Sequence, residues 1–128
     1  MPAGPSEVDT SVIGTNAMAT WRGVALGLLG ALSEDEALEA TFSHPMGDAT
    51  GSQLAGMRVV ENLAHGWDLA QALGVDRPLP DELAEWVLDF IRPMAGAVLD
   101  SEYFAAPIPL GLDADAATRL LALMGREG

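Results

Sequence analysis

The chain of 128 residues contains no cysteine. That absence excludes disulfides, thiolate zinc sites and a cysteine nucleophile, so any thiol chemistry has to use a thiol supplied as a co-substrate. Basic residues are scarce as well: six Lys and Arg stand against 19 Asp and Glu, a formal net charge of −13. A field of that sign repels phosphate backbones and anionic headgroups, which sets aside nucleic acid and membrane surfaces as partners. Long apolar runs are missing too. The longest, Val24 to Leu32, falls far short of the ~20 residues a membrane-spanning helix needs, and no basic, apolar, small-residue signal opens the chain. A soluble, cytoplasmic protein is expected. There is no internal repeat, phosphate-binding Gly loop or low-complexity tract.

What is present points to helices. The length is one domain's worth, enough to bury roughly two-thirds of the unfolded surface. The chain is organised around Ser52 to Gly74, where Ser52 can cap a helix N-terminus, Gly74 can close the C-terminus in a left-handed turn, and nothing between forbids helix. At about 100° per residue with Glu61 as zero, Arg58 falls near 60°, His65 near 40° and Asp68 near −20°, so the four polar groups share one stripe. Met57, Ala64 and Leu69 border the stripe, Leu54 and Ala72 sit at its ends, and Val59, Leu63 and Trp67 occupy the reverse face. A helix apolar nearly all round is buried, and a buried polar seam needs partners. The spacing Glu61-x-x-x-His65 sets a carboxylate oxygen and an imidazole nitrogen one turn apart, within reach of a single ion. Such ligands suit Zn²⁺ and also Mn²⁺, Fe²⁺ or Ni²⁺. The same spacing also makes an ordinary intrahelical pair with Arg58 and Asp68. Spacing alone leaves both open.

The rest of the chain is read in order. Residues 1–14, with Pro2, Gly4 and Pro5, form a flexible lead-in, and 15–128 form a single helical domain. From Asn16 to Leu32 the residues Met18, Trp21, Val24, Ala25, Leu28, Leu29 and Leu32 recur at helical spacing, while Gly23, Gly27 and Gly30 share a face suited to close packing or merely tolerated there. Ser33 and Glu36 resemble a capping box, with EDEALEA read as a solvated loop. Residues 41–50 change to an extended or hairpin segment, where His44 stands exposed beside Pro45. A helix beginning at Pro80 or Asp81 buries Leu83, Trp86, Val87, Phe90 and Ile91 until Pro93 kinks or divides it, with Met94, Val98 and Leu99 continuing the apolar side. A Pro-rich connection from Asp100 to Leu112 holds Tyr103 and Phe104. The last helix starts at Asp113 or Asp115, packs Leu120, Leu121 and Leu123, and stops at Gly125.

Two stretches carry a resemblance. VVENLAHGWDLAQALGVDRPLP resembles the second metal-ligand helix of the DinB-like proteins of actinobacteria, which include the N-terminal domain of mycothiol-dependent maleylpyruvate isomerase. The pattern of an acidic residue, three residues, a His and a Trp-Asp-Leu-Ala tail is met by Glu61, His65, Trp67, Asp68, Leu69 and Ala70. The tail Tyr103 to Arg126 is similar to that family's closing segment, a Pro-rich approach to a short helix with a Gly-Arg end. The resemblance implies an all-α, up-and-down helical bundle of the DinB four-helix type, with Glu61 and His65 as metal ligands. Asp68 then orients a ligand or pairs with Arg58, and Trp67 packs. It also implies that the N-terminal part of the family domain, with its first ligand histidine, is absent here. A bundle short of its first helices exposes an apolar face, and a homodimer is the expected remedy.

The function so implied is a metal-binding, DinB-like helical protein related to mycothiol-dependent transferases and isomerases. Its divalent metal would be Zn, or Ni, Mn or Fe, with mycothiol as thiol co-substrate and a small-molecule thiol or electrophile as partner. The alternative is a non-catalytic helical dimerisation or interaction module with a degenerate metal site.

Overall fold

The computed structural model describes residues 10–44, 47–94, 96, 105–111 and 113–127. The first nine residues of the expected lead-in, Pro45, the expected packing positions Val98 and Leu99, and Tyr103 and Phe104 of the Pro-rich connection lie outside them. The described residues are mostly helical. They form four α-helices, α1 (Ala17–Leu32), α2 (Gly51–Leu73), α3 (Asp81–Ile91) and α4 (Ala116–Leu123), with one small sheet of β1 (Thr41–Phe42) and β2 (Ala49–Thr50). No helix among the described residues is long and apolar enough to cross a membrane. The chain divides into two units, Met1–Ser52 and Gln53–Gly128, with the boundary just inside the first turn of α2.

In the first unit a 3₁₀ turn, Thr10–Ile13, ends at Gly14 in the left-handed region (φ 64°). The Thr20 hydroxyl donates to the Ile13 carbonyl at 2.7 Å and ties the turn to α1. Asn16 caps α1, its side-chain oxygen accepting from the Ala19 amide at 3.0 Å. The apolar series on α1 is helical as its spacing requires, yet Met18, Trp21, Val24, Leu28 and Leu29 remain exposed, and among the described residues no element of this unit covers them. A run of turns over Ser33–Glu39 then leads into the sheet, which is antiparallel with Thr41 opposite Thr50 and Phe42 opposite Ala49. The extended segment expected near 41–50 is therefore a hairpin of minimal strands.

The start of α2 differs from expectation. Ser52 makes no side-chain cap; instead the amides of Gly51 and Ser52 donate to the carbonyls of Ala40 (2.9 Å) and Leu38 (2.8 Å) in the preceding loop. Two of the unpaired donors at the helix start are thereby satisfied by backbone. Gly51 permits this approach, because a Cβ there would fall on the Ala37 carbonyl.

The second unit holds the core. Val60, Leu63 and Ala64 of α2 meet Ala84, Val87 and Ile91 of α3 and Ala116, Leu120, Leu121 and Met124 at α4, with Val87 and Leu120 fully buried. Gly74 (φ 63°) and Gly125 (φ 73°) close α2 and α4 in the left-handed conformation that glycine adopts without steric cost. Pro80 precedes α3, and Asp81 and Glu82 stand in its first turn, where carboxylates suit the positive end of the helix dipole. At Pro93 the helix gives way to a 3₁₀ turn, Arg92–Met94, as a residue lacking an amide hydrogen requires. Asp115 caps α4 through the Thr118 amide at 2.7 Å. Asp81 accepts from the Ala117 amide at 3.1 Å and Glu85 pairs with Arg119, so α3 and α4 are joined by polar bonds at the rim of their apolar contact.

Candidate metal-binding seam on α2

The geometry of α2 decides which of its faces meets the core. Gly56, Val60, Leu63, Trp67 and Ala70 cluster on the side that α3 and α4 cover, and Trp67 packs there as its position on the reverse face predicts. Glu61 and His65 point away from that side. The expectation of a buried polar seam is therefore corrected. His65 has 70% of its side-chain surface open and Glu61 36%, because the neighbouring helices of this unit cover one side of α2 only. Among the described residues no buried side-chain nitrogen or oxygen lacks a hydrogen-bond partner, so the seam carries no desolvation debt.

Within the seam the groups form a chain of contacts. His65 Nε2 lies 3.0 Å from Glu61 Oε2, and His65 Nδ1 lies 3.4 Å from Asp68 Oδ2. Asp68 in turn accepts two hydrogen bonds from Arg126, Nε to Oδ1 and Nη2 to Oδ2, both 2.6 Å. Arg126 Nη1 also donates to the Met124 carbonyl at 2.9 Å, which fixes the guanidinium just past the end of α4. This parallel two-bond geometry is the strongest form of carboxylate–cation pairing. The Arg126 hydrogen bonds hold the Asp68 carboxyl below its ordinary value, with His65 adding in the same direction, and Asp68 raises Arg126 in return.

Asp68 does not make the pairing expected with Arg58. It approaches a candidate ligand, His65, but its cationic partner is Arg126 rather than Arg58. Sequence reasoning missed that partner. Gly125 and Arg126 stand out as a Gly-Arg ending, but 58 residues separate Arg126 from Asp68 and no local spacing links them. His44 belongs to the first unit, where it is exposed and its carbonyl accepts from the Gly47 amide at 2.9 Å.

Chemically, the seam offers one carboxylate and one imidazole nitrogen on adjacent turns, with the second imidazole nitrogen against another carboxylate. A carboxylate on the far nitrogen is a common support for a metal-ligating histidine. Glu61 and His65 are two donors of a kind that divalent ions accept. Among the described residues no group of three or more His, Asp or Glu is placed to hold an ion.

Comparison with known proteins adds relatives without a stated activity. The chain is 34% identical over 91 residues, 70% of its length, to Uncharacterized protein Rv0738 of Mycobacterium tuberculosis, and equally to Uncharacterized protein MT0763 from another strain of that species. It spans about half the length of these curated relatives, since the match covers 50% of each. No family profile matches the chain, and no solved structure matches it.

Proposed function

We propose that this chain is a metal-binding, DinB-like protein built as an up-and-down helical bundle, in which Glu61 and His65 hold a divalent ion, Zn or else Ni, Mn or Fe. The observation that carries the reading is the placement of Glu61 Oε2 and His65 Nε2 at 3.0 Å on one face of α2 while Asp68 lies against the other imidazole nitrogen. Glu61 contributes charge, His65 a neutral nitrogen donor, and Asp68 the acceptor that orients the ring. A bound divalent ion in such a site polarises its ligands and deprotonates a coordinating thiol, the chemistry of a mycothiol-dependent transferase or isomerase. The absence of cysteine fits a thiol that arrives as co-substrate, and the open face of the seam leaves room for a small molecule to approach.

A second reading is favoured by one feature. Glu61, His65, Asp68 and Arg126 already satisfy one another, as a salt-bridged seam in a non-catalytic helical module would. In that module the exposed apolar side chains of α1 supply a homodimer contact.

Elemental mass spectrometry on protein purified without added metal, and again after loading with Zn²⁺ or Ni²⁺, separates the two. About one ion per chain, abolished by Glu61→Ala and by His65→Ala, is the expected result. Less than about a tenth of an ion after loading refutes the metal reading in favour of the module.

A further inference from the structure

The helix α1 contains no buried residue. Its 16 residues include Gly23, Gly27 and Gly30, and isolated helices of this length are marginal in water even without glycine. A packed neighbour is needed. Along one side Met18, Trp21, Ala25, Leu28 and Leu32 follow at alternating intervals of three and four, the spacing of a two-helix seam, with Val24 and Leu29 on its flanks. Met18, Trp21, Val24, Leu28 and Leu29 are 41–69% exposed. Side chains of this size leave on the order of 500 Å² of apolar surface open, so two such stripes would bury about 1,000 Å² together, the lower bound for a specific interface. The charge distribution identifies the neighbour. In a chain of net charge −13, a second copy approaches most readily where carboxylates do not oppose one another. Residues 10–33 are the longest stretch without Asp or Glu, and Arg22 is the one charged residue in it.

We propose that α1 pairs with α1 of a second copy, antiparallel about a twofold axis between Leu26 and Gly27. Trp21 then lies over the partner's Leu32 and Ala25 over the partner's Leu28, so that the small side chain of the seam faces a large one. Orientation follows from the acidic residues. Glu34, Asp35, Glu36 and Glu39 come directly after α1, at the negative end of its dipole. A parallel pair sets these four beside their own copies. An antiparallel pair moves the two groups apart by roughly the length of α1, about 24 Å, well beyond the ~8 Å screening length at physiological salt. It also brings each group toward the positive end of the partner's helix. Register follows from Arg22, because sliding the pair until Trp21 covers the partner's Ala25 brings the two guanidinium groups together. The glycine face, where a Cβ on Gly23, Gly27 or Gly30 would meet nothing within 4 Å, lies on the outside of this pair. The arrangement rests on the homodimer of the second reading and deepens it by assigning orientation and register.

Sedimentation equilibrium of the full chain tests the contact, and introduced thiols test the orientation, free of background in a chain without cysteine. The wild type is expected to be a dimer that dissociates at about 1–100 μM. Leu28→Glu, in the seam, weakens association at least about tenfold, while Leu26→Glu, which adds the same charge about 120° round the helix, leaves it within about twofold. Circular dichroism of both variants checks that the helices of the second unit persist. For orientation, Trp21→Cys and Leu32→Cys are oxidised singly and as a mixture, at concentrations where the variants remain dimeric. Neither cross-links alone, since each thiol stands about 16 Å along the axis from its own copy, past the reach of about 7 Å between Cα atoms, and the mixture does cross-link. Leu32→Cys protein that cross-links alone shows a parallel pair, and a dimeric mixture that fails to cross-link shows another register; either overturns the arrangement and leaves the homodimer standing. A wild type that stays monomeric at about 1 mM, or a dimer indifferent to Leu28→Glu, overturns the α1 contact itself. Should Leu28→Glu fail to fold, the wild-type mass and the cross-links still decide.

Discussion

Two glycines on α2 are expected to respond in opposite directions to the same substitution. A Cβ at Gly56 would enter the Phe90 ring, with Cδ2 only 2.9 Å away. That ring cannot swing clear cheaply, because it packs against the core and is stacked on Trp86 with centroids 5.4 Å apart and planes at 6°. Overpacking of this kind costs about 1–3 kcal/mol, while replacing a mid-helix glycine by alanine returns about 1 kcal/mol, so Gly56→Ala should destabilise by up to about 2 kcal/mol. A Cβ at Gly66 would meet the Arg77 guanidinium, with Cζ at 2.6 Å. Arg77 is exposed and makes no hydrogen bond or ion pair among the described residues, so its side chain can move aside at little cost. Gly66→Ala should then keep most of the helix gain and stabilise by up to about 1 kcal/mol. The two variants differ by about 2 kcal/mol, or roughly 8 °C in Tm for a chain of this size. Urea unfolding followed by far-ultraviolet circular dichroism and tryptophan fluorescence reads this directly. A Gly56→Ala protein as stable as Gly66→Ala would refute the assignment of Phe90 as a rigid neighbour and Arg77 as a yielding one.

Two further outcomes test the second unit and its caps. Leu120 is fully buried against Val87 and the α2 face, so Leu120→Ala should cost about 3–4 kcal/mol in chemical denaturation, and a loss below about 1.5 kcal/mol would mean that α4 does not close this core. The Asp115 carboxyl is held below its ordinary value by the backbone hydrogen bond from Thr118, with the Thr118 side chain adding to it. A depressed carboxyl stabilises the fold above its unfolded pKa and loses that contribution as pH falls through the folded value. Acid titration of helicity should therefore show an extra loss of stability at the acid end in the wild type that is missing from Asp115→Asn, which keeps an acceptor but no titrating group; identical acid limbs would remove the cap from the account.

Much of the helical framework was legible because it rests on local chemistry. Gly74 and Gly125 end their helices in the left-handed conformation, Pro93 breaks α3, and Asp115 caps α4, each within the range its own residue type dictates. The periodicity of α2 also set Leu63 and Trp67 together on the face opposite the polar stripe, where both pack at the core. The start of α2 was less legible, since the carbonyls of Ala40 and Leu38 do the work expected of Ser52 and backbone groups leave no signature in residue type.

For the candidate site, the sequence alone determined that Glu61, His65 and Asp68 share a helix face, because a turn of about 3.6 residues brings positions three and four apart together whatever surrounds them. It could not determine how deep that face lies or what holds Asp68. Apolar neighbours suggested burial, but exposure depends on which elements pack against α2, and α3 and α4 cover its other side. Likewise Arg126 reaches Asp68 only because the chain after α4 turns back at Gly125 beside α2. That contact between distant segments was decided by the tertiary structure, since hydrogen bonds across 58 residues follow from packing and not from local spacing.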